Sequence, residues 1–225
     1  TGALTPQSVV ESLREVFRGT PVVTIEDTVI EIDKNNKIVK TAHSNYSYDY
    51  LVVSAGAETN YFGIPGAQEN SFTLKHLNDA ITLRNHIIET FEKASDSNCA
   101  DNLTFAIVGA GATGVELAAE LVEYVKETLH SYYDNSKIRK EDIKISLITN
   151  TAQVINVFPE RMRVLAELSL KDRGINLITN ATVSKVEHGQ ITFADSTTLK
   201  AHTIIWVAGV KPSLSSIKGI DIGQK

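Results

Sequence analysis

The 225-residue sequence is 42% apolar and 22% charged, a balance typical of one large or two small folded domains and unlike disordered, collagenous or coiled-coil proteins. Its 22 basic and 27 acidic residues give a net charge of −5 with no basic patch, which excludes nucleic acid as an expected partner. Because the single cysteine, Cys99, cannot form an intrachain disulfide and no apolar run reaches the ~18 residues of a spanning helix, we expect a cytoplasmic protein.

Two segments of the chain share one pattern of predicted elements. Residues 21–56 and 175–209 each run as a strand, a turn, two alternating strands joined by a tight polar turn, and an apolar strand that ends in Ala-Gly. The same offset of 153 residues separates the two Ala-Gly pairs and separates Pro6 from Pro159. Each of these prolines opens a stretch with apolar residues at helical spacing, so a helix is predicted before the strands of each copy.

Between the two copies, the sequence predicts the elements of a parallel α/β unit. Apolar spacing predicts a linker helix over 76–93, and a polar stretch then leads to a domain boundary near residue 100. An apolar strand over 103–108 continues through a glycine-rich turn into a helix, and a second strand follows over 144–149. This order is typical of a β-α-β-α-β arrangement, which places the second copy in a Rossmann-like domain.

The glycine-rich turn matches Gly-x-Gly-x-x-Gly between a strand and a helix. It consists of Gly109, Ala110, Gly111, Ala112, Thr113 and Gly114. In this motif the first glycine permits a tight turn, the second lets a pyrophosphate approach the backbone, and the third lets the helix pack closely on the strand. We therefore predict that these six residues bind a dinucleotide at the start of the helix; the alternative is a packing turn without a ligand.

Other chemistries find no support in the sequence. The six histidines show no metal-ligand spacing, so no metal site is predicted. Gly-x-Ser-x-Gly is absent, which argues against a serine hydrolase. No Gly-Lys-Ser/Thr follows the glycine turn, which excludes a Walker-type phosphate loop.

Five stretches of the chain resemble one enzyme family. They are GAGATGVELAAELVEYVKETL, KISLIT, FPERM, IIWVAGVKP and YDYLVVSAGAETNYFGIPGA. Over nearly the whole chain they resemble the type II NADH:quinone oxidoreductases, or alternative NADH dehydrogenases, of the FAD-dependent pyridine nucleotide-disulfide oxidoreductase superfamily. The resemblance implies hydride transfer from NADH to FAD, followed by electron transfer to a quinone or another small acceptor. It leaves peripheral membrane association and the oligomeric state open.

The resemblance and the repeat together predict how the chain is divided. Residues 1–100 would form a partial FAD-binding domain, residues 101–215 a Rossmann-like NAD(P)-binding domain, and residues 216–225 the start of a return to the FAD domain. Each domain would carry a small antiparallel β-meander within an α/β fold. By the 153-residue offset, the FAD glycine loop is expected before Thr1, so the chain is interpreted as a fragment that is inactive alone and lacks the family's C-terminal region.

Further site residues follow from position and from the resemblance. Ala208 and Gly209 end the last predicted strand, and ligands of parallel sheets bind outside such carboxyl ends, so both are predicted to line the crevice. The resemblance implies that their repeat partners, Ala55 and Gly56, belong to the flavin site. Glu116 is predicted in the first turn of the helix after the glycine loop. The family's Gly-Val-Glu pattern implies a catalytic carboxylate beside the nicotinamide, and the alternative is a glutamate that interacts with the helix dipole.

One position departs from the family's pattern. The family usually ends its second strand with an acidic residue that holds the adenosine ribose, whereas this sequence has Thr149 and Asn150 there. We predict that both residues contact the cofactor. Because neither is charged and no arginine follows immediately, we expect weak discrimination between NADH and NADPH.

Two other functions remain open. A pyridine nucleotide-disulfide reductase would carry its cysteine pair after the first glycine loop, so a chain with Cys99 alone does not exclude it. A non-catalytic dinucleotide-binding or redox-sensing module would keep the glycine loop without turnover. Bound flavin together with NADH oxidation by the full-length protein would separate the enzymes from the module, and the sequence before Thr1 would separate the two enzymes.

Overall fold

The computed structural model describes residues 8–97, 102–133, 138–214 and 217–220. The predictions that involve Pro6, Cys99 and residues 221–225 lie outside these ranges. No helix in the described ranges is both long and apolar enough to span a bilayer.

The helices and strands follow one another along the chain with short connections. In order they are α1 (Leu13–Val16), β1 (Val29–Asp33), β2 (Ile38–Thr41), β3 (Asn45–Ser47), β4 (Ala57–Thr59), β5 (Phe72–Thr73), α2 (Leu77–Ser97), β6 (Thr104–Val108), α3 (Ala112–Val122), a π-helical segment (Glu123–Leu129), α4 (His130–Tyr132), a 3₁₀ turn (Lys140–Asp142), β7 (Lys144–Ile148), α5 (Glu160–Asp172), β8 (Asn176–Ile178), β9 (Val183–Glu187), β10 (Gln190–Phe193), β11 (Thr198–Lys200), β12 (Thr203–Trp206) and β13 (Val210–Pro212). They belong to two compact units, which are described separately.

The larger unit, residues 59–209, is built on a five-stranded parallel sheet. Its strands lie in the order β5-β12-β6-β7-β8, and every neighbouring pair runs parallel. The three central strands, β12, β6 and β7, are apolar and buried along nearly their whole length, as expected where both faces of a sheet are covered. The predicted parallel α/β arrangement is thus confirmed.

Helices cover one face of this sheet and a β-meander covers the other. Phe105, Ile107 and Ile145 pack with apolar side chains of α2, α3 and α5. Ala106 and Trp206 pack instead with side chains of the antiparallel meander β9-β10-β11. Because successive side chains of a strand point to opposite faces, each apolar strand contributes to both cores.

Two helices differ in form from the prediction. The linker helix α2 extends beyond the predicted limit of residue 93, and Ala94 is buried in the same core as Phe91. The helix that follows the second glycine begins earlier than predicted, at Ala112 inside the glycine loop, and it changes its hydrogen bonding midway, where α3 passes into the π-helical segment.

The smaller unit, residues 8–58 with 210–220, has only part of the predicted pattern. The meander β1-β2-β3 forms as predicted, and β4 pairs with β13. The apolar strands predicted within 21–25 and 50–56 are wrong: neither segment is a strand, and Val52 is 88% exposed. A strand needs hydrogen-bonding neighbours, and no strand of the described residues pairs with these segments.

The helix predicted before the first copy is also shorter in the structure. Among the described residues of that stretch the α-helical part is α1, a single exposed turn of four residues. None of its residues is buried, so the helix lacks the tertiary packing that stabilises most protein helices.

The sequence limits of the two compact units differ from the domain boundary predicted near residue 100. Residue 100 falls within the span of the larger unit, which includes α2 because that helix packs with the parallel sheet. As limits of cofactor-binding domains, residues 1–100, 101–215 and 216–225 stay a prediction, since a compact unit and a cofactor site need not end at the same residue.

Candidate functional site

A cleft of about 440 Å³ opens in the larger unit at the carboxyl ends of β6, β7 and β12. Its lining residues are Phe62, Ile64, Val108, Gly109, Ala110, Gly111, Ile148, Thr149, Asn150, Thr151, Asn156, Ala181, Thr182, Val183, Trp206, Val207 and Ala208. Ligands of open parallel sheets bind at this edge. None of these lining side chains is charged, so the cleft offers backbone groups, hydroxyls, amides and apolar surface.

The first and third glycines of the loop are required by packing. Gly109 has a φ of 111°, and a Cβ there would lie 2.5 Å from the Cα of Ala208. A Cβ on Gly114 would overlap the carbonyl oxygen of Gly109. The Gly109 N–H donates to the carbonyl oxygen of Ile148 at 2.9 Å, which ties the loop to the end of β7. These contacts hold α3 close against the sheet.

The second glycine is different, because none of the described residues occupies the space beside it. A Cβ on Gly111 would meet no atom of the residues that the structure describes within 4 Å, and Gly111 lines the cleft at the N-cap of α3. Within the described part of the chain no side chain caps this helix end, so the first N–H groups of α3, which have no intrahelical partner, are open to a ligand. An open approach to free N–H groups at a helix N-terminus suits an anion such as a pyrophosphate.

Two threonines form a short hydrogen-bonded chain at the end of β7. The Thr151 hydroxyl lies 2.8 Å from the carbonyl oxygen of Gln153, to which it donates. This hydrogen bond uses the only hydroxyl proton of Thr151. In the 2.8 Å contact between the two threonine hydroxyls, Thr149 is therefore the donor and Thr151 the acceptor. The Thr149 oxygen also accepts from the N–H of Thr151 at 3.2 Å. Thr149 therefore retains acceptor capacity toward the cleft but no donor proton, and Asn150 beside it is exposed.

On the opposite side of the glycine loop, the end of β12 contacts Asn60 and Phe62, which precede β5 in the chain. The Trp206 indole N–H donates to the carbonyl oxygen of Asn60 at 2.9 Å. Ala208 lines the cleft, whereas Gly209 lies behind Phe62, whose ring is 2.6 Å from where a Cβ on Gly209 would be. The prediction that Ala208 and Gly209 both line the crevice is thus met by Ala208 alone.

Glu116 lies outside the lining of the cleft and is exposed. The prediction that it occupies the first turn of its helix is wrong: α3 begins at Ala112, so Glu116 is the fifth residue and no acidic residue lies in the first turn. The helix starts immediately after the second glycine and includes the third, which moves Glu116 one turn inward. The alternative reading through the helix dipole is weakened, because that interaction fades beyond the first turn.

The other predicted residues divide between the two units. Gly114 is buried in α3 and Ala112 and Thr113 are exposed at its start, close in sequence to the lining part of the loop. Ala55 and Gly56 belong to the smaller unit and do not line this cleft. There the carbonyl oxygen of Gly56 accepts from the N–H of Ser213 at 3.2 Å. Their assignment to a flavin site stays a prediction.

Several lining residues were missed by the sequence analysis. Thr151 and Asn156 follow β7, Thr182 and Val183 follow β8, and Phe62 comes from a segment far away in the chain. The signal for Thr151 was its place in the polar loop after a strand that points at the cleft. Phe62 had no such signal, because its place depends on contacts with β12.

Comparison with known proteins gives a family match over almost the whole chain. The family described as pyridine nucleotide-disulphide oxidoreductase matches residues 4–224. The chain is 34% identical to a mitochondrial external alternative NAD(P)H-ubiquinone oxidoreductase B1 of Solanum tuberosum, over 93% of the chain and 40% of that protein. It is 31% identical to a type II NADH:quinone oxidoreductase of Staphylococcus haemolyticus, over 99% of the chain and 56% of that protein. The chain thus spans about half or less of the length of these curated relatives.

A solved structure of similar fold agrees with this match. The chain superposes on NDH2 from Plasmodium falciparum, solved in complex with NADH, with a TM-score of 0.74 and 23% identity. The superposition covers 83% of the chain and 40% of that protein. At this identity the likeness establishes the fold of the chain.

Proposed function

We propose that this chain, which belongs to the pyridine nucleotide-disulphide oxidoreductase family, supplies the nicotinamide-dinucleotide site of an FAD-dependent NAD(P)H dehydrogenase that reduces a quinone. The observation that carries the proposal is the open space at Gly111 beside the uncapped start of α3. Together these features fit a pyrophosphate. The 225 residues contain one Gly-x-Gly-x-x-Gly, so the proposal assigns NAD(P)H, and not FAD, to this chain's own glycine loop.

The order of the strands orients the dinucleotide in the cleft. The glycine loop follows the central strand β6, so the pyrophosphate lies in the middle. The adenosine ribose lies toward β7, where Thr149 can accept from the ribose 2′-hydroxyl and Asn150 is exposed beside it. The nicotinamide then extends toward the end of β12 and Ala208.

The chain's own residues bind and orient the cofactor. The bound dinucleotide supplies the hydride that the dehydrogenase transfers. The described residues that line the cleft include no titratable side chain, so they position the cofactor and exclude water without exchanging protons. Glu116, exposed on α3, is the nearest acid to the loop in sequence, and its role beside the nicotinamide remains part of the proposal.

The acceptor and the location of the protein also belong to the proposal. A quinone is favoured because the relatives from Solanum tuberosum and Staphylococcus haemolyticus are named as quinone oxidoreductases. A cytoplasmic location, with the longer protein at a membrane surface, stays a prediction.

The test compares Gly111→Val with a matched control in the flavin-loaded protein that contains this chain. The valine side chain would fill the pyrophosphate's approach, so we expect NADH-dependent quinone reduction to fall by at least about tenfold at NADH concentrations that just saturate the parent. The control is Ser169→Val, which adds a similar side chain at an exposed position of α5. Normal turnover by Gly111→Val would contradict the assigned site, and a parent that reduces a disulfide but no quinone would favour a disulfide reductase.

A further inference from the structure

Phe62 is a large aromatic residue held in an unfavourable backbone conformation at the mouth of the cleft. Its φ is 53°, in the left-handed region that bulky residues rarely adopt, and its side chain is 59% exposed. Neither the strain nor the exposed apolar surface contributes to folding. Strained residues are retained where the surrounding structure imposes them, and they concentrate at ligand sites.

Asn60 imposes this conformation by three hydrogen bonds. Its side-chain oxygen accepts from the N–H of Phe62 at 2.9 Å, which closes the tight turn. Its own N–H donates to the carbonyl oxygen of Gly209 at 3.0 Å, and its carbonyl oxygen accepts from the Trp206 indole at 2.9 Å. The turn is therefore fastened to the end of β12, and Trp206 is itself fully buried.

The ring occupies space that the end of β12 leaves free. Gly209 does not have a positive φ, so its backbone conformation does not call for glycine. A Cβ there would instead lie 2.6 Å from the tip of the Phe62 ring. The absence of a side chain at 209 thus gives the ring its place, beside Ala208 in the lining of the cleft.

We infer that Phe62 is the aromatic contact for the nicotinamide end of the bound dinucleotide. The inference rests on the proposed function, which places the nicotinamide toward β12. Phe62 and Ala208 lie on that side of the glycine loop, whereas Thr149 lies on the other. The nearly planar dihydronicotinamide ring of NADH packs on an exposed phenyl face, and the oxidised, aromatic and positively charged nicotinamide adds a cation–π attraction. ADP-ribose, which lacks the nicotinamide, would not reach this contact.

The test is to measure dissociation constants for NADH and for ADP-ribose on the whole chain and its variants. We expect Phe62→Ala to weaken NADH binding about three- to tenfold and to change ADP-ribose binding by less than about twofold. Phe62→Leu, which keeps apolar volume without the aromatic face, should lose part of the same affinity. Tyr132→Ala removes another exposed ring of the larger unit, outside the cleft, and should change neither constant.

Gly209→Ala provides a second route if Phe62→Ala fails to fold. Its added methyl group displaces the ring, so Gly209→Ala by itself should weaken NADH binding and leave ADP-ribose binding unchanged. Where Phe62→Ala does fold, adding it to Gly209→Ala should cause little further loss of NADH affinity. Equal weakening of both ligands by Phe62→Ala, or unchanged NADH binding, would overturn the inference and leave the proposed function intact. A parent chain that binds ADP-ribose no better than Gly111→Val does would overturn the proposed function itself.

Discussion

The two copies of the repeated segment end in apolar stretches that occupy equivalent positions in sequence and opposite environments in the structure. Ile205 of β12 is fully buried between β5 and β6. Val52, which lies 153 residues earlier, is 88% exposed in a segment without strand structure. The two stretches have similar apolar character, so their difference in burial comes from the strands that pair with one stretch and not with the other.

The antiparallel meanders, unlike these apolar stretches, form in both copies. The β1-β2 hairpin is closed by Asp33, whose carboxylate accepts from the N–H groups of Asn35 and Asn36 at 3.1 and 3.0 Å. Its strands find their partners a few residues away in the chain. A parallel strand has no local partner and requires elements distant in sequence. Apolar patterning therefore predicts a parallel strand only where its neighbours are also present.

The largest expected effect is a difference in unfolding free energy when a carboxylate is placed at each of the equivalent positions 205 and 52. Ile205→Asp buries a carboxylate without a partner, so we expect the larger unit to lose at least about 4 kcal/mol of unfolding free energy or to fail to fold. Val52→Asp leaves its carboxylate in water and should change stability by less than about 0.5 kcal/mol. Urea denaturation of both variants measures the difference. A comparable loss in Val52→Asp would mean that residues 50–56 are packed in solution.

The second prediction contrasts the cofactor content of the two copies. Only the second copy adjoins a glycine loop in this chain, so the purified chain should bind one nicotinamide dinucleotide and no flavin. Gly111→Val should weaken that binding by at least about a hundredfold, equivalent to roughly 2.7 kcal/mol, with little change in thermal stability. Calorimetry gives the stoichiometry and affinity, and visible absorbance gives the flavin content. Stoichiometric FAD in the purified chain would contradict the contrast.

The same contrast explains how much of the fold and site could be predicted from the sequence. The strand before Gly109 and the helix after Gly114 are signalled by residues adjacent in the chain, and so is the polar loop at Thr149. The place of Phe62 was not predictable, since it depends on the Trp206 indole meeting Asn60 across 146 residues. Glu116 was misplaced by one turn, because the sequence pattern did not specify that α3 begins inside the glycine loop.

The third prediction concerns selectivity at the end of β7. Thr149 presents acceptor capacity but no free proton, so it can accept from a ribose 2′-hydroxyl only weakly and gives nothing to a 2′-phosphate. We expect the parent to prefer NADH over NADPH by less than about tenfold. Thr149→Glu adds a charge-assisted hydrogen bond and repels the phosphate, so it should shift the ratio of dissociation constants toward NADH by roughly ten- to a hundredfold.

The control for this charge is Thr198→Glu, an exposed position of β11 outside the cleft. Thr198→Glu adds the same negative charge without a contact to the ribose, so its ratio of NADH to NADPH dissociation constants should equal that of the parent. A shift of less than about twofold in Thr149→Glu would mean that the adenosine ribose does not lie at the end of β7.

The smallest expected effect is a pH dependence of stability near neutrality, which comes from two stacked histidines of the packed second copy. His202, just before β12, stacks on His86 of α2 with ring centroids 5.7 Å apart, whereas the equivalent position of the first copy is Asp49. Burial lowers the pKa of His86 and of His202 from their ordinary value, helped by the neighbouring His202 and His188 respectively.

Because both histidines have a lowered pKa in the folded state, the unfolded chain binds more protons once the pH falls below their ordinary value of about 6.5. The larger unit should therefore lose stability between about pH 7 and pH 5, and the loss should level off below the pKa values of the folded state. Denaturation of the parent across this range, beside His202→Gln, measures the effect. The variant lacks one of the two titrating groups and relieves the other of a like charge, so its stability should fall less over the same interval. An equal fall in parent and variant would assign the pH dependence to groups other than this stacked pair.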